Sequence, residues 1–191
     1  PPRSTLFPYT TLFRSMDPIP LPVPSEEWEW IDRAVQQRAT LLNLMLGDVY
    51  GRQRLVRERR LPAALVYANP HFQRSCFGIT PMGGAPLTTY AVDLARSPDG
   101  RWWALGDRTQ APSGIGYALE NRLVSARILP GVFNHCRVRP LTHFLDAKRD
   151  ALLSMAPGRR DTPRVVLLTP GPHNETYFEH SFLAGHWGFP L

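Results

Sequence analysis

Apolar residues recur at helical spacing through Trp28, Ile31, Val35, Leu42 and Met45, which predicts an amphipathic helix opened by Ser25 and running to about Leu46. A proline-rich lead over 17–24 precedes it, and Gly47-Asp48 is expected to end it. Tyr50 to Arg60 reads as a second, basic helix, and Leu65-Val66-Tyr67-Ala68 as a short strand before a Pro- and Gly-rich loop at 80–86. Further helices are expected at about 115–129 and 141–155. Arg164-Val165-Val166-Leu167-Leu168 has the composition of a buried strand, Glu175 to Trp187 that of a helix, and Phe189-Pro190-Leu191 that of the start of a next strand. No internal repeat is visible, and the order of elements predicts a mixed, α+β fold.

Between these lies the most informative stretch, residues 89–108, which reads as one β-hairpin. Its turn is Ser97-Pro98-Asp99-Gly100, where proline presets φ and glycine accepts the left-handed conformation that closes a three-residue loop with a bulge. Pairing Ser97 with Arg101 then places Ala95 opposite Trp103, Asp93 opposite Leu105 and Ala91 opposite Asp107, all on one face. Asp93 and Asp107 become diagonal neighbours, and such a carboxylate pair can share one divalent cation, which suits magnesium carrying nucleotide phosphates. Val92, Leu94, Trp102 and Ala104 take the opposite, core-facing side. The spacing is equally that of two surface aspartates on a half-exposed hairpin, and a shift of one residue in register would put them on opposite faces.

The hairpin leads into Thr109-Gln110-Ala111-Pro112-Ser113-Gly114 and then a helix beginning near Ile115. Ser113 and Gly114 fall where a cap would be, with free backbone N–H groups and the positive end of the helix dipole turned outward, a place that binds anions.

At these residues the chain resembles the circularly permuted ATP-grasp type 2 family, relatives of glutathionylspermidine synthase and glutathione synthetase. The resemblance is carried by Asp93, Leu94, Arg96, Asp99, Gly100, Arg101, Trp102, Asp107, Pro112, Ser113, Gly114, Tyr117, Leu119, Glu120, Asn121 and Arg122. It extends upstream to Ala68-Asn69-Pro70-His71-Phe72 and downstream through Leu168-Thr169-Pro170-Gly171-Pro172-His173-Asn174-Glu175-Thr176-Tyr177-Phe178-Glu179-His180, and covers nearly everything after residue 16. It implies an ATP-grasp-like part with an antiparallel hairpin and flanking helices, followed by the start of a Rossmann-like unit. It also implies an ATP- and magnesium-dependent ligase that phosphorylates a small-molecule or peptide carboxylate and lets an amine attack the acyl phosphate. Carried over by residue, Asp93 and Asp107 would hold metal, Arg108 and Arg122 would act on phosphate as catalytic groups, and Ser113, Gly114, Asn121 and Asn174 would bind the nucleotide. One departure stands out: many members carry Glu and Asn around the central Asp, where this chain has Gly106 and Arg108. A glycine has no side-chain ligand and an arginine repels magnesium, so the site either holds one metal poorly or turns Arg108 to a phosphate.

Residues 1–15 contain Thr5-Leu6-Phe7-Pro8-Tyr9-Thr10-Thr11-Leu12-Phe13-Arg14-Ser15, the translation of a common sequencing adapter, and are expected to carry no evolved structure. The expected organisation is then a permuted ATP-grasp part at 16–157, a linker at 158–163 and the start of a truncated α/β unit at 164–191, making the chain a piece of a longer enzyme, inactive alone, whose C-terminal part supplies the adenine pocket. Twenty-two basic residues against sixteen acidic give +6, and +4 once Arg3 and Arg14 are set aside, a balance that suits anionic ligands such as ATP. With 43% hydrophobic residues the chain can bury one sizeable core. Cys76 and Cys136 sit in neither redox nor zinc contexts, so a reducing compartment, the cytoplasm, is expected, with no membrane partner.

Three further constellations carry less. Arg52, Arg54, Arg57, Arg59 and Arg60 form a run that could contact nucleic acid, but no aromatics interleave with it, and such runs are more often solvated faces. His135, Cys136 and His143 lack zinc spacing and a fourth ligand. Thr169 to Glu175 lies between strand and helix, either a ligand loop or a plain turn capped by Asn174. A non-catalytic scaffold that keeps the fold but has lost chemistry at Gly106 and Arg108 is the rival to a ligase. Binding of magnesium-ATP by the full-length protein separates the two.

Overall fold

A computed structural model describes residues 19–156 and 163–191. Helix α1 runs Ser25–Val49, followed by the short helices α2 (Arg54–Arg57) and α3 (Ala63–Tyr67) and a 3-10 turn at Arg74–Cys76. Strands β1 (Ala91–Arg96) and β2 (Trp102–Arg108) form a two-stranded antiparallel sheet. Helices α4 (Ile115–Ile128), α5 (Pro130–Cys136), α6 (Thr142–Ser154) and α7 (Tyr177–Trp187) complete the described elements. The mixed α+β class is as expected, whereas a Rossmann-like unit is not formed by the described residues.

Several elements differ from expectation. Helix α1 passes through Gly47-Asp48 because Asp48 serves the next element: its carboxylate accepts the amides of Arg54 at 3.0 Å and Leu55 at 2.9 Å. Those two hydrogen bonds cap α2 and, with the Leu55 amide contributing most, hold the Asp48 carboxyl below its ordinary pKa. The basic helix expected over Tyr50 to Arg60 contracts to the four residues of α2, and Arg59 has φ of 56°, which ends it. Leu65-Val66-Tyr67 is helical rather than a strand. Among the described residues no strand lies beside it to pair, so the local i to i+4 bonds win, as in the Ala68 amide to the Ala64 carbonyl at 3.1 Å.

The same reasoning explains Arg164 to Leu168. Neither this segment nor Phe189-Pro190-Leu191 is a strand, and the backbone hydrogen bond that links them is the Leu167 amide donating to the Pro190 carbonyl at 2.9 Å. Leu168 is 93% exposed, so the apolar run is not buried as its composition suggested. The expected linker at 158–163 lies almost wholly outside the described residues. On both sides of it the chain contributes to one core: Leu119 of α4, Leu145 of α6, and Leu183 and Trp187 of α7 cluster, with Ile115, Leu141, Leu152, Leu167, Phe182 and Phe189 packed around them. Leu145 is fully buried, and its carbonyl accepts the Trp187 indole N–H at 3.2 Å, which satisfies the one polar atom of that ring. Among the described residues no helix is long and apolar enough to cross a membrane.

Candidate functional site

The Ser97 to Arg101 turn forms as expected. The Ser97 amide donates to the Arg101 carbonyl at 2.8 Å, the Gly100 amide to the Ser97 carbonyl at 2.8 Å, and Gly100 takes φ of 85°. The Asp99 carboxylate is bound by the Ser97 hydroxyl, foremost, and by Arg101, which keeps it below the ordinary carboxylate range. From the turn the register runs Arg96 opposite Trp102, Ala95 opposite Trp103 and Leu94 opposite Ala104.

There the expected register fails. A bulge between Asp93 and Leu94 leaves Leu105 unpaired, so Asp93 lies opposite Gly106 and Asp107 opposite Val92. One extra residue turns every following side chain of β2 to the other face. Asp93 and Asp107 therefore point to opposite sides of the sheet, and the shared carboxylate pair is not formed.

Each finds a cation of its own. On the face with Val92, Leu94 and Trp102, α1 crosses the hairpin. Arg38 grips Asp107 with Nε to Oδ1 at 2.6 Å and Nη2 to Oδ2 at 2.7 Å, and the Tyr90 hydroxyl donates to Oδ1 at 2.5 Å. The Arg38 hydrogen bonds, then that of Tyr90, hold Asp107 down to about 2, and the same pairing raises Arg38. Burial first, and then the bond to Asp107, pushes the Tyr90 phenol up to about 12. About three turns nearer the start of α1, Glu27 accepts the Trp102 indole N–H at 2.6 Å and pairs with Arg96 at 3.2 Å. On the opposite face Asp93 pairs with the Arg108 Nε at 3.0 Å, across the bare Gly106. No group of three or more His, Cys, Asp and Glu side chains converges among the described residues, which also disposes of His135, Cys136 and His143 as a metal set.

The Pro112-Ser113-Gly114 loop begins α4 as expected, but its outward amides are taken. Glu179 of α7 is 2% exposed, and its carboxylate accepts the Gly114 amide at 2.7 and 2.8 Å and the Gly116 amide at 3.0 Å. A carboxylate thus fills the place at the helix N-terminus where an external anion was expected. The approach is close enough that a Cβ on Gly116 would lie 2.8 Å from the Glu179 Cγ. Lys148 of α6 is attracted by Glu179 and lies 5.9 Å from the Trp187 ring centre, and burial lowers its pKa. Ser113 is exposed beside the loop.

The remaining candidates are scattered. Arg122 donates to the Arg139 carbonyl at 3.4 Å, and Asn121 is exposed on α4. Asn174 receives the Thr176 amide at 2.9 Å and hydroxyl at 2.6 Å, which is the turn-capping role its loop allowed. Tyr117 ties that loop to α4 through its hydroxyl to the Glu175 carbonyl at 2.8 Å.

Arg38, Tyr90, Glu27, Glu179 and Lys148 escaped sequence reasoning. Arg38 had a signal: it interrupts the apolar stripe between Val35 and Leu42 on the face that meets the hairpin. Glu179 had one as well, being the one acidic residue of α7, the helix that brings Leu183 and Trp187 to the core.

Comparison with known proteins agrees with the motif. A family model described as circularly permuted ATP-grasp type 2 matches residues 20–191. An uncharacterized protein of Mycobacterium tuberculosis is 40% identical over 176 residues, 92% of this chain and 20% of that protein. One of Synechocystis is 37% identical over 176 residues, 92% of this chain and 37% of that protein. One of Mycobacterium leprae is 36% identical over the same length, covering 31% of that protein. The chain thus spans between about a fifth and two fifths of the length of these relatives. With nearly the whole described chain inside the match, and the hairpin, loop and helix in the order the family motif requires, the chain belongs to the circularly permuted ATP-grasp type 2 family.

Proposed function

We propose that this chain is part of an ATP-dependent carboxylate-amine ligase working through an acyl phosphate. The observation that carries the reading is the unbroken family match over residues 20–191, hairpin and Pro-Ser-Gly loop included. In such a reaction a carboxylate oxygen attacks the γ-phosphorus of ATP and ADP leaves. An amine then attacks the acyl carbon, the bond from that carbon to the phosphate oxygen breaks, and the amine gives up a proton. The whole reaction is proposed for a polypeptide of the relatives' length, with a small-molecule or peptide carboxylate and an amine as substrates.

In this reading Arg108 and Arg122 contact transferring phosphate, with the Arg108 Nη groups available while its Nε is on Asp93. Ser113, Asn121 and Asn174 are nucleotide contacts, and Gly114 acts through the backbone of the loop that Glu179 holds. Magnesium, which ATP-grasp enzymes generally use, does not fit the residues present. Its octahedral shell is met by one or two free carboxylates with water and substrate phosphates, whereas Asp93 and Asp107 diverge and each is already paired with an arginine.

That ion pairing favours a second reading, a non-catalytic nucleotide-binding scaffold. Hydroxylamine trapping on a polypeptide of the relatives' length separates them. Carboxylate-dependent release of ADP together with a hydroxamate product supports the ligase. ATP binding without ADP release from any carboxylate supplied supports the scaffold.

A further inference from the structure

The face of the hairpin turned away from α1 carries Asp93, Gly106 and Arg108, and Asp93 is the one carboxylate that β1 and β2 place on it. We infer that Arg108 is the resident cation of this face: its guanidinium takes the place beside Asp93 that a divalent metal would otherwise occupy, so this hairpin works without a bound metal ion. The inference concerns the chain itself and stands whether or not the longer polypeptide is a ligase.

The geometry is built by the bulge. By leaving Leu105 unpaired, it sets Asp93 directly opposite Gly106 and makes Arg108 its diagonal neighbour, close enough for the 3.0 Å contact from Nε to Oδ2. Without the bulge Asp107 would be in that diagonal place, giving two carboxylates and no cation. With it, Asp107 is carried to the far face and clamped by Arg38 and Tyr90, out of reach of Asp93.

Three features of the site's chemistry then exclude a hard divalent ion. A single carboxylate supplies one of the roughly six oxygens that a hard divalent ion takes, and with no nucleotide phosphate bound the rest would have to be water. The residue opposite it, Gly106, has no side chain to add one. The guanidinium is permanently charged, so it cannot give way by losing a proton, and it repels an incoming metal at hydrogen-bonding distance from the only ligand. Gly106 is not bare for want of room. A Cβ there would meet only Asp93 Oδ2 at 3.7 Å, an ordinary contact, and its φ lies outside the left-handed region, so a larger residue can be accommodated.

The test reads metal binding directly, with no nucleotide present, by the loss of the free manganese resonance signal as manganese(II) is titrated with the 191-residue chain. The unaltered chain should leave the signal untouched through the low millimolar range. Replacing the cation and supplying a second carboxylate, Arg108→Asn with Gly106→Glu, should create binding about tenfold tighter or more, abolished again by Asp93→Asn. Arg108→Gln alone, which leaves Gly106 in place and adds no side chain to the bulge, should give a smaller gain and guards against misfolding of the double variant. Manganese binding by the unaltered chain that is lost in Asp93→Asn would overturn the inference. So would a folded Arg108→Asn, Gly106→Glu chain that binds no better than the original.

Discussion

Arg38 and Asp107, sixty-nine residues apart, are joined through both carboxylate oxygens, and this pair fixes the long first helix across the hairpin. The Tyr90 hydroxyl adds a third hydrogen bond to the Asp107 carboxylate. Its partner on the same strand, Arg108, faces the opposite way and serves Asp93. Two adjacent residues of β2 thus belong to two separate sites, and the bulge before them decides which residue goes to which.

The clamp has a signed pH dependence. Asp107 is held at about 2, below its ordinary 3.8, so its contribution to stability is complete above the ordinary value and is lost as pH falls through about 2. Asp107→Asn should lower the melting midpoint by about 1–3 °C at pH 7, as expected for a partly exposed pair, and the difference from the parent should shrink between pH 4 and pH 2. A difference that is constant across this range would show that the charge of Asp107 is irrelevant to the fold.

Tyr90 titrates in the other direction. Its phenol is raised to about 12 from 10.0, so the stability it adds is present below the ordinary value and fades as pH rises through about 12. Spectrophotometric titration should show one tyrosine ionising late in the parent chain and missing from Tyr90→Phe. An unchanged late tyrosine in that variant would remove Tyr90 from the network.

At the other end of the site, Gly116 has no room for a methyl group. Alanine normally stabilises a helix by about 1 kcal/mol over glycine, yet here its Cβ would stand 2.8 Å from the Cγ and 3.2 Å from the Cα of Glu179. Since Glu179 is pinned by the Gly114 and Gly116 amides, the overlap should win and Gly116→Ala should destabilise by about 1–3 kcal/mol in urea unfolding. Combining it with Glu179→Ala should recover part of that loss. Strictly additive effects would mean the two residues do not press on each other.

How much of this could be read in advance depended on whether partners were local. The hairpin turn, the half-burial of Val92, Leu94 and Trp102, the start of α1 at Ser25 and the span of α6 follow from turn chemistry and periodicity, and these are where expectation and structure agree, whereas Ala104, expected on the same covered side, is exposed. The bulge at Asp93/Leu94 had one local sign, Gly106 inside the strand pattern, but Leu105 alternates as a strand residue should, and the pairing of Asp107 with Arg38 that goes with the observed register spans 69 residues. Glu179 at the loop likewise depends on a contact spanning 65 residues. Leu65 to Tyr67 and Arg164 to Leu168 looked like strands because their side chains favour strands, but a strand needs a neighbour to take its hydrogen bonds.

Hydrogen exchange should expose that last point. Among residues 165–168 only the Leu167 amide has a backbone acceptor, Pro190, so it should exchange more slowly than those of Val166 and Leu168, while the amides of α7 near Leu183 and Trp187 should be as slow as those of α4. Uniform protection across 165–168 would mean that a paired strand forms there after all.

Everything said of the hairpin rests on its register, and cross-strand nuclear Overhauser contacts measure that directly. Backbone proton contacts between Asp93 and Gly106 and between Val92 and Asp107, with Leu105 lacking a partner, are the expected result. Contacts from Asp93 to Leu105 and from Ala91 to Asp107 would return both aspartates to one face, restore the paired carboxylates, and contradict the separation of the two sites.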